Sequence, residues 1–216
     1  LVLDLRHNTG GLVNEGKCIA QLFAGDKPIV ERQPLQLEFP QVLQIEKGEV
    51  LEGDESYEWR RTFDDLPLVV MINERSASAS ELVAGALQDF NRAWIVGERS
   101  YGKGTTQLIH HLQNFPELRV FKTVSRYLRP NKTSPQDAGV IPNFEVPFRA
   151  GASAKERRFV REENLLRGMR LEQQAPWKET RMNQVAAIQK CLSKQKPEAS
   201  ADHQLEIALQ IFACSP

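Results

Sequence analysis

Apolar residues fall into two kinds of run along this chain. Short, almost wholly apolar stretches bounded by glycine, proline or polar residues alternate with longer segments whose apolar positions recur at helical spacing. The first kind predicts strands buried on both faces and the second predicts amphipathic helices, so their alternation points to an α/β core. Leu1-Val2-Leu3-Asp4-Leu5 opens as a strand, Arg6 to Gly11 turns the chain, and Val13, Cys18, Ile19, Leu22 and Phe23 mark a helix. The order repeats further on. Leu68 to Ile72 reads as a buried strand, Leu82, Val83, Ala86, Leu87 and Phe90 as a helix, and Ala93 to Val96 as the next strand.

Elsewhere the pattern changes. Ile29 to Gln33, Leu35 to Phe39 and Val42 to Ile45 alternate roughly, and Glu46 to Glu55 is acidic and glycine-punctuated, which predicts β ribbons around a solvated loop, with Trp59 to Phe63 as another strand. Thr105 to Leu112 and Val120 to Tyr127 predict a hairpin across Asn114-Phe115-Pro116-Glu117. Beyond Gly151 the composition turns polar and helical. Helices are expected over Glu156 to Leu171, Glu179 to Ser193 and Asp202 to Cys214, with Asp202 as an N-cap. The last two carry apolar faces (Val185, Ile188, Leu192; Leu205, Leu209, Phe212) suited to a helical hairpin against the core or a partner.

Composition removes several classes. Equal numbers of acidic and basic residues, 28 each, give no electrostatic case for nucleic acid or an anionic membrane. No apolar run approaches the 18 or so residues of a membrane span. Three cysteines are too few and too scattered for a disulfide framework or a zinc site. Cys18 is expected in the core, while Cys191 and Cys214 lie on successive helices and can bridge only if those run antiparallel in register. The chain opens directly on a buried-strand pattern, so an upstream segment is expected.

The chemistry concentrates between Pro67 and Gln107. Ser76-Ala77-Ser78-Ala79-Ser80 joins the strand to the helix, and its small residues allow a sharp turn. Ser78 with Glu81 forms an S-x-x-E capping box, one complete use for that serine. The other use is as a nucleophile where helix N–H groups favour developing negative charge. A hydroxyl then needs a base, and Lys103, between Gly102 and Gly104, is the candidate. To act near neutrality it must lose roughly 4 kcal/mol of preference for its charged form, within the reach of burial.

Two rivals are weaker. Gly97-x-x-x-x-Gly102-Lys103 follows a strand as a phosphate loop does, but Gly104 stands where a magnesium-binding hydroxyl belongs and a strand follows instead of a helix. His110 and His111 are adjacent in a strand and point to opposite faces, so at most one reaches the site. Asp89, eleven residues along the helix from Ser78, lies roughly 16 Å away and reads as a supporting residue.

The motifs Ser76-Ala77-Ser78-Ala79-Ser80-Glu81, Gly85-Ala86-Leu87-Gln88-Asp89, Val96-Gly97-Glu98 and Gly102-Lys103-Gly104-x-x-Gln107 together resemble the C-terminal processing (tail-specific) proteases. The opening Asp4-Leu5-Arg6-x-Asn8-x-Gly10-Gly11 and the closing Gly139-Val140-Ile141-Pro142 are similar as well, with Asn143 replacing the family's usual aspartate and Ser100 a frequent threonine.

The resemblance implies a serine endopeptidase with a crotonase-like (ClpP-like) core over residues 1–150 and a helical extension over 151–216. It implies Ser78 as nucleophile, Lys103 as general base and Gln107 as the residue orienting the lysine. Ala79 and Gly10 would supply the oxyanion-hole N–H groups, with Gly11 the alternative to Gly10, and Glu81, Asp89, Gly102 and Gly104 would support them. It further implies polypeptide substrates, unfolded or with apolar C-termini, an upstream PDZ domain in the full-length chain, an extracytoplasmic, periplasm-like location, and no metal or other cofactor. Two other readings stand beside it: a Ser/Lys amidase or acyl hydrolase acting on small substrates, and a non-catalytic binding module.

Overall fold

The computed structural model describes residues 1–25, 27, 29–34, 49–51, 63, 65–112, 115–148, 160–165, 178–195 and 201–215. They form a mixed α/β structure with two four-stranded sheets. The first sheet is parallel throughout and takes the order β1 (Val2–Asp4), β4 (Val69–Ile72), β5 (Trp94–Gly97), β8 (Phe144–Glu145). The second is antiparallel, ordered β3 (Glu49–Leu51), β2 (Val30–Pro34), β7 (Phe115–Leu128), β6 (Thr105–Leu112).

A parallel sheet needs both faces covered, and β4 shows how the sequence arranges it. Val70 and Ile72 point into one core cluster with Leu5, Phe23, Leu82 and Leu87, beneath α1 (Val13–Ala24) and α2 (Ala79–Asp89). Val69 and Met71 point the other way, into a second cluster with Val96, Ile188, Ala208 and Ile211 beneath α3 (Met182–Leu192) and α4 (His203–Cys214). The alternation is the two-residue period of a strand. It explains why β4 reads as a continuous apolar run.

The expected strands and helices around Ser78 appear within a residue or two of their anticipated ends. In α1 the buried face differs from the one expected. Gly16, Ala20 and Ala24 are buried while Ile19 is 40% exposed and Cys18 is half-buried, because α1 meets α2 through small residues: a Cβ on Gly16 would lie 3.2 Å from that of Ala79. The β6–β7 hairpin is tighter than anticipated. β7 begins at Phe115, and irregular pairing between His111 and Leu112 accommodates Pro116 close to the turn. Glu49–Leu51, expected in a loop, pairs with β2. The ribbons expected over 35–45 and the strand over 59–62 lie outside the described residues.

The C-terminal helices lie against the core. Asp202 caps α4 by accepting the Leu205 N–H at 3.1 Å, and Arg6 grips the same carboxylate with both terminal nitrogens at 2.8 and 2.6 Å. Gln204, fully buried, donates to the Val146 carbonyl at 2.7 Å. Cys191 and Cys214 are disulfide-bonded, with Cα atoms 5.8 Å apart, so α3 and α4 have the register the pairing requires. The helix expected over Glu156 to Leu171 does not run through its described part. There Glu162–Asn164 is a single 3-10 turn between extended residues. Arg161 donates to the carbonyls of Arg99 and Ser100, and the Glu162 N–H reaches Tyr101 O, so contacts with the lysine loop outweigh helical propensity. No helix among the described residues is long and apolar enough to cross a membrane.

Candidate active site

Ser78 stands between β4 and α2 at φ 57°, ψ −118°, a backbone conformation that non-glycine residues adopt only when neighbours enforce it. The enforcement is visible on every side. The Ser78 N–H donates to Glu81 Oε2 at 2.8 Å, and the Ser78 carbonyl accepts from Leu82 N–H at 3.0 Å and from the Tyr127 hydroxyl at 2.9 Å. Asn8 O accepts both the Ala77 N–H and the Ser80 hydroxyl, each at 3.0 Å, and Ser76 Oγ donates to Leu5 O at 2.7 Å. These bonds lash the serine turn to the end of β1. Ser78 itself remains half-buried, presented at the head of a helix otherwise buried through Gln88.

The lysine loop is tied to the same turn by one carboxylate. Glu81 accepts from Ser100 Oγ at 2.5 Å and Gly102 N–H at 2.7 Å on Oε1, and from Ser78 and Lys103 N–H, both at 2.8 Å, on Oε2. Four donors fill the four lone-pair directions of an ionised carboxylate. Burial pushes the Glu81 carboxyl above its usual range, and the bonds from Ser100, Gly102, Lys103 and Ser78 work against that push. Glu81 is therefore more than the capping residue its S-x-x-E spacing suggests. Its second oxygen holds the amides of Ser78 and Lys103 side by side.

Tyr127 makes the second tie. Its hydroxyl is shared between the carbonyls of Ser78, 2.9 Å, and Lys103, 2.7 Å. The ring is buried, which holds the phenol well above its ordinary value near 10 and keeps it a donor. Gly104 completes the loop: its N–H donates to Gln136 Oε1 at 2.8 Å, and any side chain there would sit 2.6 Å from the Gln136 nitrogen. Lys103 is half-buried, and no hydrogen bond or ion pair engages its amine among the described residues.

The glycine turn abuts the serine directly. At Gly10, φ 93°, a Cβ would fall 2.8 Å from both Ala79 N and Ser78 Cβ, so only glycine permits the approach. Its N–H, however, donates to Asn8 Oδ1 at 2.9 Å and is not open to an oxyanion in this arrangement. Gly11 is exposed, with nothing within 4 Å of where a Cβ would stand.

Two expected residues stand apart. Gln107 is exposed on β6, its amide on Thr123 Oγ1 at 3.4 Å, and no bond joins it to Lys103 among the described residues. Asp89 is at the far end of α2 in a buried pair with Arg129, 2.5 Å, which also donates to Gly85 O and Gln88 Oε1. The roles of Tyr127 and Gln136 escape a reading of the sequence, whereas Asn8, expected beside the glycines to brace the turn through its amide, does so by accepting the Gly10 N–H. The available signal was a tyrosine among charged and hydroxylic neighbours in β7, too weak to specify a partner. Among the described residues no cluster suited to a metal ion occurs.

A strained serine at a strand-to-helix elbow thus stands beside a lysine loop, the two joined through one buried carboxylate. The chain belongs to peptidase family S41, whose sequence model matches residues 1–146. It is 39% identical over 148 residues to carboxyl-terminal-processing peptidase 3, chloroplastic, of Arabidopsis thaliana, covering 67% of this chain and 25% of that protein. It is 38% identical over 146 residues to the carboxyl-terminal-processing protease of a Picosynechococcus strain (68% and 31%), and 33% identical over 153 to the tail-specific protease of Haemophilus influenzae (68% and 20%). The solved structure of the photosystem II D1 C-terminal processing protease superposes with a TM-score of 0.55 at 33% identity, over 68% of this chain and 34% of that one. The chain thus spans about a third or less of the length of these relatives.

Proposed function

We propose that this chain is the catalytic part of a serine endopeptidase that cleaves polypeptides near their C-termini, with Ser78 as nucleophile and Lys103 as general base. One observation carries the reading: Glu81 Oε2 accepts the amides of both residues, which sets the hydroxyl-bearing elbow against the amine-bearing loop. Neutral Lys103 Nζ takes the Ser78 proton as Oγ adds to the scissile carbonyl. The negative oxygen is received by the Ala79 N–H and an N–H of the Gly10–Gly11 turn, Gly11 as the turn stands or Gly10 once the Asn8 amide swings away. Lys103 then returns its proton to the leaving amine. The acyl-enzyme is hydrolysed by a water that Lys103 deprotonates. None of these steps calls for a metal.

The family relationship further supports a crotonase-like core over residues 1–150 with a helical extension over 151–216. It also supports an extracytoplasmic location and a PDZ domain elsewhere in the full-length protein. The test is labelling of Ser78 by a fluorophosphonate probe together with cleavage of an unfolded protein. Ser78→Ala is expected to lose both and Lys103→Ala to lose cleavage by more than about a hundredfold. Full cleavage by the Lys103→Ala protein would overturn the base assignment.

A further inference from the structure

Every peptide unit of the lysine loop, from Arg99 to Gly104, is hydrogen-bonded on both sides. On the N–H side the partners belong to the core. Ser100 N–H donates to Val140 O at 3.1 Å and Tyr101 N–H to Ser76 O at 2.9 Å, while the Gly102, Lys103 and Gly104 N–H groups reach the side chains of Glu81 and Gln136. On the carbonyl side the core meets the oxygens nearest the lysine, Gly102 O through Asp137 N–H at 2.9 Å and Lys103 O through the Tyr127 hydroxyl. The remaining carbonyls are met from the C-terminal extension. Arg161 Nη1 donates to Arg99 O at 2.9 Å and to Ser100 O at 2.7 Å, and the Glu162 N–H donates to Tyr101 O at 3.4 Å.

A peptide unit bonded through its N–H alone can pivot about that bond, and one bonded at both ends cannot. The set of the loop between Arg99 and Tyr101 therefore depends on residues 160–165, which lie beyond the stretch matched by the family model, 1–146. Side chains strengthen the tie. Glu163 pairs with Arg99 at 3.0 Å, and the buried Glu162 carboxylate accepts the Tyr101 hydroxyl. Burial together with that carboxylate pushes the Tyr101 phenol up to about 12, so it remains a donor. Arg161 is half-buried, and desolvation and the neighbouring Arg99 lower its pKa. A guanidinium is an unfavourable group to place there unless its bonds to the loop are needed.

We propose that residues 160–165 position the general base: Arg161 and the Glu162 amide fix the carbonyl side of the loop that carries Lys103, so that its amine is presented to Ser78 in one place. The proposal rests on the reading of Lys103 as base. Arg161 is a positioning residue that acts through the peptide units between it and Lys103. Proton transfer is steep in distance, and displacing a reacting group by about 1 Å costs on the order of a hundredfold in rate. The C-terminal extension is then part of the catalytic apparatus as well as a brace for the parallel sheet.

The test uses the full chain and a fluorophosphonate probe, whose inactivation kinetics separate kinact from KI. Arg161→Met keeps the reach of the side chain and removes its donors. Its kinact is expected to fall about tenfold or more with KI within about twofold of wild type, and Arg161→Lys, which can still donate to the loop carbonyls, should recover most of the loss. Hydrogen exchange read by mass spectrometry gives a measure independent of catalysis. In Arg161→Met the amides of Ser100, Tyr101 and Gly102 should exchange at least about tenfold faster, while those of α2 keep their wild-type rates. Should the urea transition show that Arg161→Met does not fold, Glu162→Pro carries the same test. Proline suits the first position of a helical turn and removes the N–H that reaches Tyr101 O, so kinact should fall about threefold relative to Glu162→Ala.

A wild-type kinact in the folded variant overturns the proposal. So does a rise in KI with kinact unchanged, since the strap would then bind the probe instead of setting the base. An equal quickening of exchange in α2 overturns it too, because Arg161 would then support the fold at large. If Lys103→Ala retains full cleavage while the loop amides of Arg161→Met quicken selectively, the base assignment falls and the hold of the strap on the loop stands.

Discussion

On one face of the parallel sheet, α2 is buried from Ala79 to Gln88 and fixed at both ends by ionic side chains, Glu81 toward the lysine loop and Asp89 against Arg129. On the other face, α4 rests on Val69, Met71 and Val96 through Ala208 and Ile211, with a disulfide joining it to α3 and the partly buried Arg6–Asp202 ion pair at its start. The first face relies on directional bonds that specify position to a few tenths of an ångström. The second relies mainly on apolar burial and a covalent staple, which resist unfolding without specifying fine geometry, and its directional bonds, from Gln204 to the Val146 carbonyl and from Arg6 to Asp202, gather at the start of α4. The proposed chemistry is on the first face, where a displaced carbonyl or amide would matter.

The sharpest way to break that contrast is Glu81→Gln. The replacement amide brings two donors into a site already holding four donors, so stability should fall by about 3 kcal/mol or more and Ser78 labelling by at least about a hundredfold. Urea unfolding and probe kinetics check both, and normal labelling would show that the loops hold position without the carboxylate. Reducing the Cys191–Cys214 bond, or Cys191→Ser, should lower stability by about 3 kcal/mol while Ser78 labelling of the folded protein stays unchanged. A parallel loss of labelling would mean the two faces are coupled.

The smallest effect concerns acid. The hydrogen bond from Arg6 holds the Asp202 carboxyl below its ordinary value of 3.8. A depressed carboxyl stabilises the fold above that ordinary value and loses the contribution as pH falls through its lowered one. Because the pair is a third exposed, its worth is under about 1 kcal/mol. The urea midpoints of wild type and Asp202→Asn should therefore differ slightly near neutrality and converge in strong acid.

Much of this was readable in the chain itself. β4, the serine elbow, α2, β5 and the lysine loop follow one another with short connections, so local pattern and turn chemistry suffice to place them. What escaped depends on residues distant in sequence. Tyr127 belongs to a strand 49 residues from Ser78 and is defined by two carbonyls no periodicity points to. Asp89 reads as a supporting residue, but its partner Arg129 is not apparent until the end of β7 and α2 are brought together. Residues 160–165 have helical composition yet lie as a strap because Arg161 finds carbonyl partners on the lysine loop. Gln107 is set at the lysine only by the family resemblance, and in the structure, with Thr105 to Leu112 paired to β7, it stands exposed on β6.

Two of the three cysteines are consumed by the bond between the C-terminal helices, which leaves Cys18 as the sole thiol of the oxidised chain. Nature has in effect pre-installed a single attachment point on α1, the helix leaning on the serine-bearing one. A maleimide fluorophore reacting there, without mutagenesis, would place an optical reporter one helix away from Ser78.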